Sequence, residues 1–392
     1  MDLTGLPVAG LAEAVGKGEV DAVDVIGTCL DAIEAGRDLN AFTLVDGEAA
    51  LRRAASLDRA HAAGASPGPL AGVPIALKDL IDHQGRPTTC GSGFYREIPA
   101  RSATLVSRIE AAGGVIIGRT GLHEFAFGFS SENPWFGPVR NPWDPSTSPG
   151  GSSGGSGAAV AAGMAPLGVG TDTGGSVRVT AALCGIAGLK VTHGRIPLTG
   201  VFPLAAPIDT VGPMAGTVPD LALLYRVMAG DDPSDPWSVP RPVTTPEHAT
   251  PVAGLRIGVP AEWVDTDMDG AVRSGFDWAL QRLEQLGATV ETVSAPLLRP
   301  TGMISASIRP EVAAVHGRWY AEDASRYGPE VRDRMAPAFD SEPNDYQAAL
   351  AWRASLRAAF GRLLSDFDLL ATPTVAARRK VIGEETAQTE AG

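Results

Sequence analysis

The chain has 392 residues and 44% hydrophobic content, which is sufficient for one large domain or two ordinary ones with a large buried core. Its formal net charge of -13 disfavours nucleic acid and anionic membranes as partners, because both are bound through clustered Lys and Arg. Three widely separated cysteines predict neither a disulfide framework nor a cysteine zinc site. The N-terminus has no basic leader and no apolar run reaches about 18 residues, so the predicted location is the cytoplasm, with no membrane partner.

The first predicted elements are two helices, over residues 21–35 and 46–63. We assign residues 1–66 to an N-terminal helical layer. The run GVPIALKDL follows a turn-rich segment and predicts a short buried strand with Lys78 at its end.

Strand-like and helical segments then alternate through VIIG, AAVAAG, LGVGTD and VPDLALLYRVMAG. This alternation predicts βα units, and we expect an α/β/α layered fold around a large mixed central β-sheet within a core over residues 67–392. Residues 231–252 are Pro-rich and aperiodic and are interpreted as a surface excursion. They are either a loop of a single domain or a domain boundary.

After the excursion the pattern resumes with LRIGVP and ATVETV as predicted strands on either side of a helix. Two further helices are predicted near residues 310–326 and 344–365. The segment DLLATPT is the last predicted strand.

Two common site types are excluded by their motifs. His123 and Glu124 begin an H-E-x-x-H pattern, but Phe127 stands where the second zinc ligand is needed. A phosphate loop requires a lysine after its glycines, and PGGSSGGSGA has none within or just after it. We therefore predict neither a zinc protease nor a nucleotide site.

Two Gly-Ser segments are the main candidates for chemistry. PGGSSGGSGA is a linker by composition, but its apolar neighbours favour a buried functional loop. In GTDTGGSVR, two glycines let backbone N–H groups approach a ligand beside Ser176, as an oxyanion hole requires. The alternative for Ser176 is a tight turn with a helix-capping serine.

Lys78 is the candidate base that activates such a serine. A lysine at the end of an apolar run is desolvated, which lowers its pKa and yields a neutral amine. The alternative is an ordinary ion pair with Asp79 or Asp82.

These motifs together resemble the amidase signature family, whose hallmark is a Ser, cis-Ser, Lys triad. The strongest match runs in order through GVPIALKDL, SPGGSSGGSGAAVAAG, GTDTGGSVR, CGIAGLKVTHGRIPLTG and DTVGP. The resemblance implies Lys78 as base, Ser152 as the cis-serine and Ser176 as nucleophile. It also implies an oxyanion-hole turn and supporting polar positions, which are Thr173, Gly174 and Gly175 for the turn and Ser153, Asp172 and Arg178 for the support.

The function implied by the resemblance is hydrolysis of a carboxylic amide through an acyl-enzyme, with release of ammonia or an amine. No metal and no organic cofactor is needed, the expected partner is a small-molecule amide, and a homodimer is left open. One alternative is the glutamine-hydrolysing subunit of a tRNA-dependent amidotransferase. The other is a catalytically silent, truncated member, because the usual C-terminal segment of the family is not found after DLLATPT.

The segment EFAFGFSSENPWFG concentrates aromatic side chains beside two serines and is the predicted substrate pocket. The residues assigned to substrate binding are Phe127, Phe129, Ser130 and Trp135. Aryl or medium-length acyl amides are the preferred substrates. The alternative for this segment is an aromatic cluster of the core.

Overall fold

The computed structural model describes residues 7–65, 68–244, 251–299 and 301–389. The chain divides into two compact units by its internal contacts. Unit 1 comprises Met1–Thr245, Asp323–Arg332 and Val381–Gly383, and unit 2 comprises Pro246–Glu322, Asp333–Lys380 and Glu384–Gly392. Compact units are not the same as independent domains, so the division into a layer over 1–66 and a single core over 67–392 stays a prediction.

Unit 1 is built on a mixed six-stranded sheet, with the order β1-β3-β2-β4-β6-β5. Its strands are β1 (Phe42–Val45), β2 (Pro74–Lys78), β3 (Val115–Thr120), β4 (Leu167–Asp172), β5 (Ala187–Gly188) and β6 (Thr210–Ala215). Strands β2, β3 and β4 are mutually parallel, whereas β1 and β6 pair antiparallel to their neighbours β3 and β4. The predicted large mixed sheet is confirmed.

The four central strands, β2, β3, β4 and β6, are buried along their whole length. Strands covered on both faces have near-continuous apolar sequences, which explains runs such as VIIG and LGVG in place of strict alternation. Helices contact these strands and form the layers of the predicted α/β/α fold.

The α-helices of the described ranges are α1 (Val8–Gly16), α2 (Ala22–Ala35), α3 (Gly47–Ala62), α4 (Thr104–Ala111), α5 (Gly154–Ala161), α6 (Arg178–Cys184), α7 (Val218–Met228), α8 (Ala261–Val264), α9 (Gly270–Gln285), α10 (Met303–Asp323), α11 (Pro329–Phe339) and α12 (Pro343–Asp366). The two predicted N-terminal helices correspond to α2 and α3, and the two late ones to α10 and α12. Helices α1, α8 and α11 were not predicted.

The N-terminal segment also differs from a purely helical layer, since β1 lies between α2 and α3 and forms an edge of the sheet. Residues 1–6 and 66 of the predicted layer lie outside the described ranges.

Unit 2 contains a separate parallel sheet with the order β8-β7-β9. Its strands are β7 (Arg256–Pro260), β8 (Thr289–Val293) and β9 (Leu369–Leu370). Strands on the two sides of the excursion therefore belong to different sheets. Within the excursion, residues 231–244 and 251–252 form neither helix nor strand, and residues 245–250 lie outside the described ranges.

Among the described residues, none of the helices combines the length and apolar character that a membrane crossing requires.

Candidate active site

The candidate site lies at the edge of the sheet where parallel strands β2 and β4 end. Lys78 is the last residue of β2 and Asp172 is the last residue of β4. Because the carboxyl ends of parallel strands meet at the same edge, their side chains converge there. The side chain of Lys78 is fully buried in this position.

Three hydroxyl groups surround the Lys78 amine. Its Nζ lies 2.7 Å from Ser152 Oγ, 2.9 Å from Ser153 Oγ and 2.8 Å from Thr171 Oγ1. Neither Asp79 nor Asp82 accepts a hydrogen bond from this amine, since Asp79 pairs with Arg119 and Asp82 accepts from Thr88. The ion-pair alternative for Lys78 is therefore not realised in this structure.

The Ser152 and Ser153 hydroxyls differ in the acceptors available to their own protons. Ser153 Oγ donates to the Thr171 carbonyl at 3.1 Å and accepts from the Thr171 N–H at 3.2 Å, so toward Lys78 it acts as an acceptor. Ser152 Oγ has Lys78 as its hydrogen-bond partner within the described ranges. A neutral amine has two N–H donors and one lone pair. Its lone pair can face Ser152 while Ser153 and Thr171 accept its N–H groups.

Burial lowers the pKa of Lys78 from 10.5 to about 7. The negative charges of Asp172 and Asp209, with a further contribution from Cys90, act in the opposite direction and keep the pKa from falling further. The amine is therefore neutral in a substantial fraction of molecules at neutral pH.

The loop that carries Ser152 is packed against the segment after β3. The Gly151–Ser152 peptide bond is cis. A Cβ on Gly151 would lie 2.7 Å from the Ser131 amide nitrogen, so only glycine fits here. The Ser152 carbonyl accepts from the His123 N–H at 3.3 Å, and Ser131 Oγ accepts from the Gly154 N–H at 3.0 Å.

Asp172 holds the turn that carries Ser176. Its carboxylate accepts from the N–H groups of Gly175 at 2.8 Å and Val177 at 3.2 Å. Arg178 donates to both oxygens, at 3.0 Å from Nε and 2.8 Å from Nη2. Burial alone would raise the pKa of Asp172, but the hydrogen bonds and charge of Arg178 outweigh it and lower the pKa. Asp172 is thus ionised at neutral pH and fixes the backbone of this turn through its hydrogen bonds.

Several N–H groups of this turn stay without a hydrogen bond among the described residues. They belong to Thr173, Gly174 and Ser176. The N–H of Gly175 is already donated to Asp172, and Gly175 supplies the turn with a φ of 137°, a conformation that suits glycine. Gly175 and Ser176 are buried, Thr173 is half-buried and Gly174 is exposed. Unused backbone donors beside a nucleophile candidate are what an oxyanion hole requires.

Ser176 is 5% exposed as a residue, and its hydroxyl makes no hydrogen bond within the described part of the chain, including with Ser152. Catalytic hydrogen bonds are often long without substrate and tighten when it binds. Lys78, Ser152 and Ser153 thus form one connected group, and Ser176 lies in the adjacent turn.

Two polar residues of this region were missed by the sequence reasoning. Thr171 is the third hydroxyl on Lys78, and its position just before Asp172 at the end of a strand is the signal that could have found it. Asp209 accepts from Thr173 Oγ1 at 2.5 Å, and it belongs to the DTVGP segment, for which no role was predicted.

The aromatic segment after β3 is divided between core and surface. Phe125 is fully buried and packs against Phe94, Tyr95, Phe202 and Tyr327, so it belongs to an aromatic core cluster. The residues assigned to substrate binding lie elsewhere.

Phe129 is 51% exposed, and its ring reaches within 3.7 Å of where a Cβ on Gly174 would stand, so it lies beside the Ser176 turn. Phe127 is partly buried, and Ser130 is buried with its Oγ 3.5 Å from His123 Nδ1. Trp135 packs over Gly93 and donates to Glu124 at 2.9 Å, so its contacts are not with the Lys78 group. Phe129 is thus the substrate-binding candidate that lies beside the turn that carries Ser176.

No cluster of three or more His, Cys, Asp or Glu suited to a metal ion occurs among the described residues.

Comparisons with known proteins agree on one family. The Amidase family model matches residues 24–391. A Glutamyl-tRNA(Gln) amidotransferase subunit of Chloroflexus aurantiacus is 39% identical over 406 residues, which cover 95% of this chain and 82% of that protein.

Solved structures are similar as well. A bacterial aryl acylamidase of the amidase signature enzymes aligns with a TM-score of 0.90 at 26% identity, over 99% of this chain and 84% of that one. The corresponding Glutamyl-tRNA(Gln) amidotransferase subunit of Thermotoga maritima aligns with a TM-score of 0.82 at 33% identity, over 98% of this chain and 82% of that one.

Proposed function

The chain belongs to the amidase signature family, enzymes that hydrolyse carbon–nitrogen bonds of amides, and on that premise we propose that it cleaves a carboxylic amide through an acyl-enzyme on Ser176. Lys78 is the base, Ser152 carries the proton between Lys78 and Ser176, and the turn after β4 stabilises the oxyanion.

In the first step, Ser176 Oγ attacks the amide carbonyl carbon. Its proton passes to Ser152 Oγ, whose own proton passes to the lone pair of Lys78 Nζ. The negative charge that develops on the carbonyl oxygen is met by the free N–H groups of the turn, namely those of Thr173, Gly174 and Ser176.

In the second step, the carbon–nitrogen bond breaks and the proton held by Lys78 returns through Ser152 to the leaving nitrogen, which departs as ammonia or an amine. Water then attacks the ester on Ser176 and loses its proton to the same base. The hydrolysis releases a carboxylic acid and regenerates the Ser176 hydroxyl.

One observation carries this proposal: a fully buried amine lies 2.7 Å from Ser152, and burial lowers its pKa to about 7. A base works best when its pKa is near the operating pH, so this environment suits proton transfer. A lysine that only stabilised the fold would gain more from a carboxylate partner.

A fluorophosphonate probe tests the proposal without knowledge of the substrate. Ser176 Oγ displaces fluoride from phosphorus and stays covalently labelled, which peptide mass spectrometry locates. We expect a single label on Ser176 in the wild type and none in Ser176→Ala. A folded wild type that takes no label would instead support the alternative of a catalytically silent member.

We infer the class of amide substrate from the side chain that lies beside the Ser176 turn. The exposed ring of Phe129 beside the Ser176 turn supports an aryl or medium-length acyl amide, and one similar structure is an aryl acylamidase. Acyl anilides of increasing acyl length are therefore the first substrates to test.

A second candidate substrate, glutamine, is favoured by the relatives. Several relatives at 38–40% identity are named as Glutamyl-tRNA(Gln) amidotransferase subunits. In this role the chain would hydrolyse glutamine and act with partner proteins. Ammonia release from L-glutamine, compared with turnover of an acyl anilide by the same sample, separates the two. A preference for glutamine that increases with a copurifying protein would select the second.

We also propose a reducing, cytoplasmic setting, since Cys29, Cys90 and Cys184 are all unpaired and buried.

A further inference from the structure

Asp209 lies just before β6, where it faces the turn that carries Ser176. Strands β4 and β6 pair antiparallel, with Asp172 opposite Thr210, so the residues that follow β4 meet those that precede β6. Thr210 Oγ1 donates to the Asp172 carbonyl at 2.8 Å and closes this end of the pair. The position of Asp209 is therefore fixed by strand register.

Both carboxylate oxygens of Asp209 are used. Oδ1 accepts from Thr173 Oγ1 at 2.5 Å, and Oδ2 accepts from the N–H groups of Leu204 and Ala205, each at 2.9 Å. Only 6% of the residue is exposed. The carboxylate thus ties the 204–209 loop to the first residue of the turn.

We propose that Asp209 is a positioning residue of the active site, which fixes the oxyanion turn through Thr173 and directs a buried negative charge toward Lys78. This inference rests on the proposed function, in which the turn binds the oxyanion and Lys78 is the base. Asp209 makes no hydrogen bond to Ser176, since its carboxylate partners are Thr173, Leu204 and Ala205.

The turn needs such a clamp because it contains two adjacent glycines. Glycine has no side chain to hold its backbone, so Gly174 and Gly175 depend on hydrogen bonds made by the backbone and by their neighbours. Asp172 holds the later part of the turn through the Gly175 and Val177 N–H groups. Asp209 holds the beginning through Thr173. The free N–H groups of Thr173 and Gly174 lie between these two attachments.

The charge of Asp209 acts on Lys78 as well. Burial raises the pKa of Asp209. The hydrogen bond from Thr173, the N–H groups of Ala205 and Leu204, and the charge of Lys78 oppose this rise without reversing it. The charged or titratable groups that face Lys78 are Asp172, Asp209 and Cys90. Asp209 therefore favours the protonated amine that forms when Ser176 attacks.

Two variants separate the two roles. Asp209→Asn removes the charge, yet its carboxamide can accept from Leu204 and Ala205 through oxygen and donate to Thr173 Oγ1 through nitrogen. Thr173→Val removes the clamp and leaves the charge. Asp220→Asn is the matched control, because Asp220 is a buried carboxylate that accepts from a threonine hydroxyl, Thr217, and from a backbone N–H, that of Val8.

The readout is the rate constant for fluorophosphonate labelling of Ser176 as a function of pH. For Asp209→Asn we expect the acid limb of the profile to move to lower pH by about one unit, because loss of the negative charge makes protonation of Lys78 less favourable. For Thr173→Val we expect an unchanged limb and a plateau lower by up to about 100-fold, the cost of a misplaced oxyanion turn. Asp220→Asn should keep the wild-type profile.

If Asp209→Asn and Thr173→Val both keep the wild-type pH profile of labelling, in its acid limb and in its plateau, the role proposed for Asp209 is overturned. If Asp209→Asn does not fold, the plateau of Thr173→Val decides, and a wild-type plateau again overturns it. The failure of the proposed function looks different, since a wild type without label, or a Ser176→Ala variant that still reacts, contradicts the triad itself.

Discussion

The two Gly-Ser segments have similar compositions, but the serine hydroxyls of one are hydrogen-bonded and the donors of the other are mostly free. In the relay segment, residues 149–153, the Ser152 and Ser153 side chains are fully buried and both contact Lys78. In the nucleophile turn, residues 173–176, the Ser176 hydroxyl and three backbone N–H groups have no partner within the described ranges. Composition alone does not distinguish the two.

This difference in hydrogen bonding suits the two segments to different steps of the proposed reaction. In the proposed mechanism, the relay segment is held in one arrangement by its packing, and the proton would move along a fixed path. The nucleophile turn is held from outside, by Asp172 and Asp209, and keeps its own donors free for a substrate. Preorganised but unused donors are the property that stabilises a developing charge. The predictions below test this contrast, beginning with the largest effect.

Ser176→Ala should abolish amide hydrolysis, with a loss of about 10⁴-fold or more, because no other group can form the acyl-enzyme. Its thermal unfolding should match the wild type, since the hydroxyl has no partner to lose. Turnover within tenfold of the wild type would show that the nucleophile lies elsewhere.

Lys78→Arg should be nearly inactive, because a guanidinium keeps its proton at any working pH and cannot accept another. Turnover of an acyl anilide is measured beside thermal unfolding. Since arginine is larger, Lys78→Met serves as a second variant that removes the amine and preserves an apolar side chain. Substantial turnover in either folded variant would mean that position 78 does not transfer a proton.

Ser152→Ala and Ser153→Ala sharpen the contrast within the relay segment. Ser152→Ala should lose about 10²–10⁴-fold in turnover and retain a remainder, because water can replace the hydroxyl imperfectly. Ser153→Ala leaves the Thr171 N–H without its partner, so it should lower the free energy of unfolding by about 1–3 kcal/mol with a smaller loss of turnover. A larger loss of turnover in Ser153→Ala than in Ser152→Ala would instead assign the proton transfer to Ser153.

Phe129→Ala should have the smallest effect, a change in KM across a series of acyl lengths with little change for the shortest acyl group. The ring is half exposed beside the turn, so it contributes contact area to the substrate and none of the proton transfer. Trp135→Ala is the matched control, because Trp135 contacts Gly93 and Glu124. Identical kinetic constants for Phe129→Ala and wild type throughout the series would remove Phe129 from the acyl pocket.

The elements that bear the site were predictable from local patterns. The apolar run before Lys78 and the run LGVGTD are buried strands, and parallel strands place their ends together. The proposed triad came from the resemblance to the amidase signature family, because no local rule relates Lys78 to serines that follow 74 and 98 positions later.

The contact between Thr173 and Asp209 was not predicted, because it depends on the register between strands that are distant in sequence. Thr173 meets Asp209 because Asp172 is paired with Thr210, and no periodicity in the sequence specifies that pairing. The separation of Phe125 from Phe129 has a similar cause. Phe125 adopts a positive φ of 51°, which turns the chain between a core residue and an exposed one.

The pH dependence of amide turnover tests the central claim most directly, because it reports the protonation of Lys78 in the intact protein. With a pKa lowered to about 7, the amine is protonated and inactive below that pH and becomes neutral and active above it. The account predicts that kcat/KM rises with pH through a midpoint near 7 and then reaches a plateau, with the folded fraction constant throughout. A kcat/KM that is independent of pH across this interval, or that falls as pH rises, would contradict Lys78 as the base.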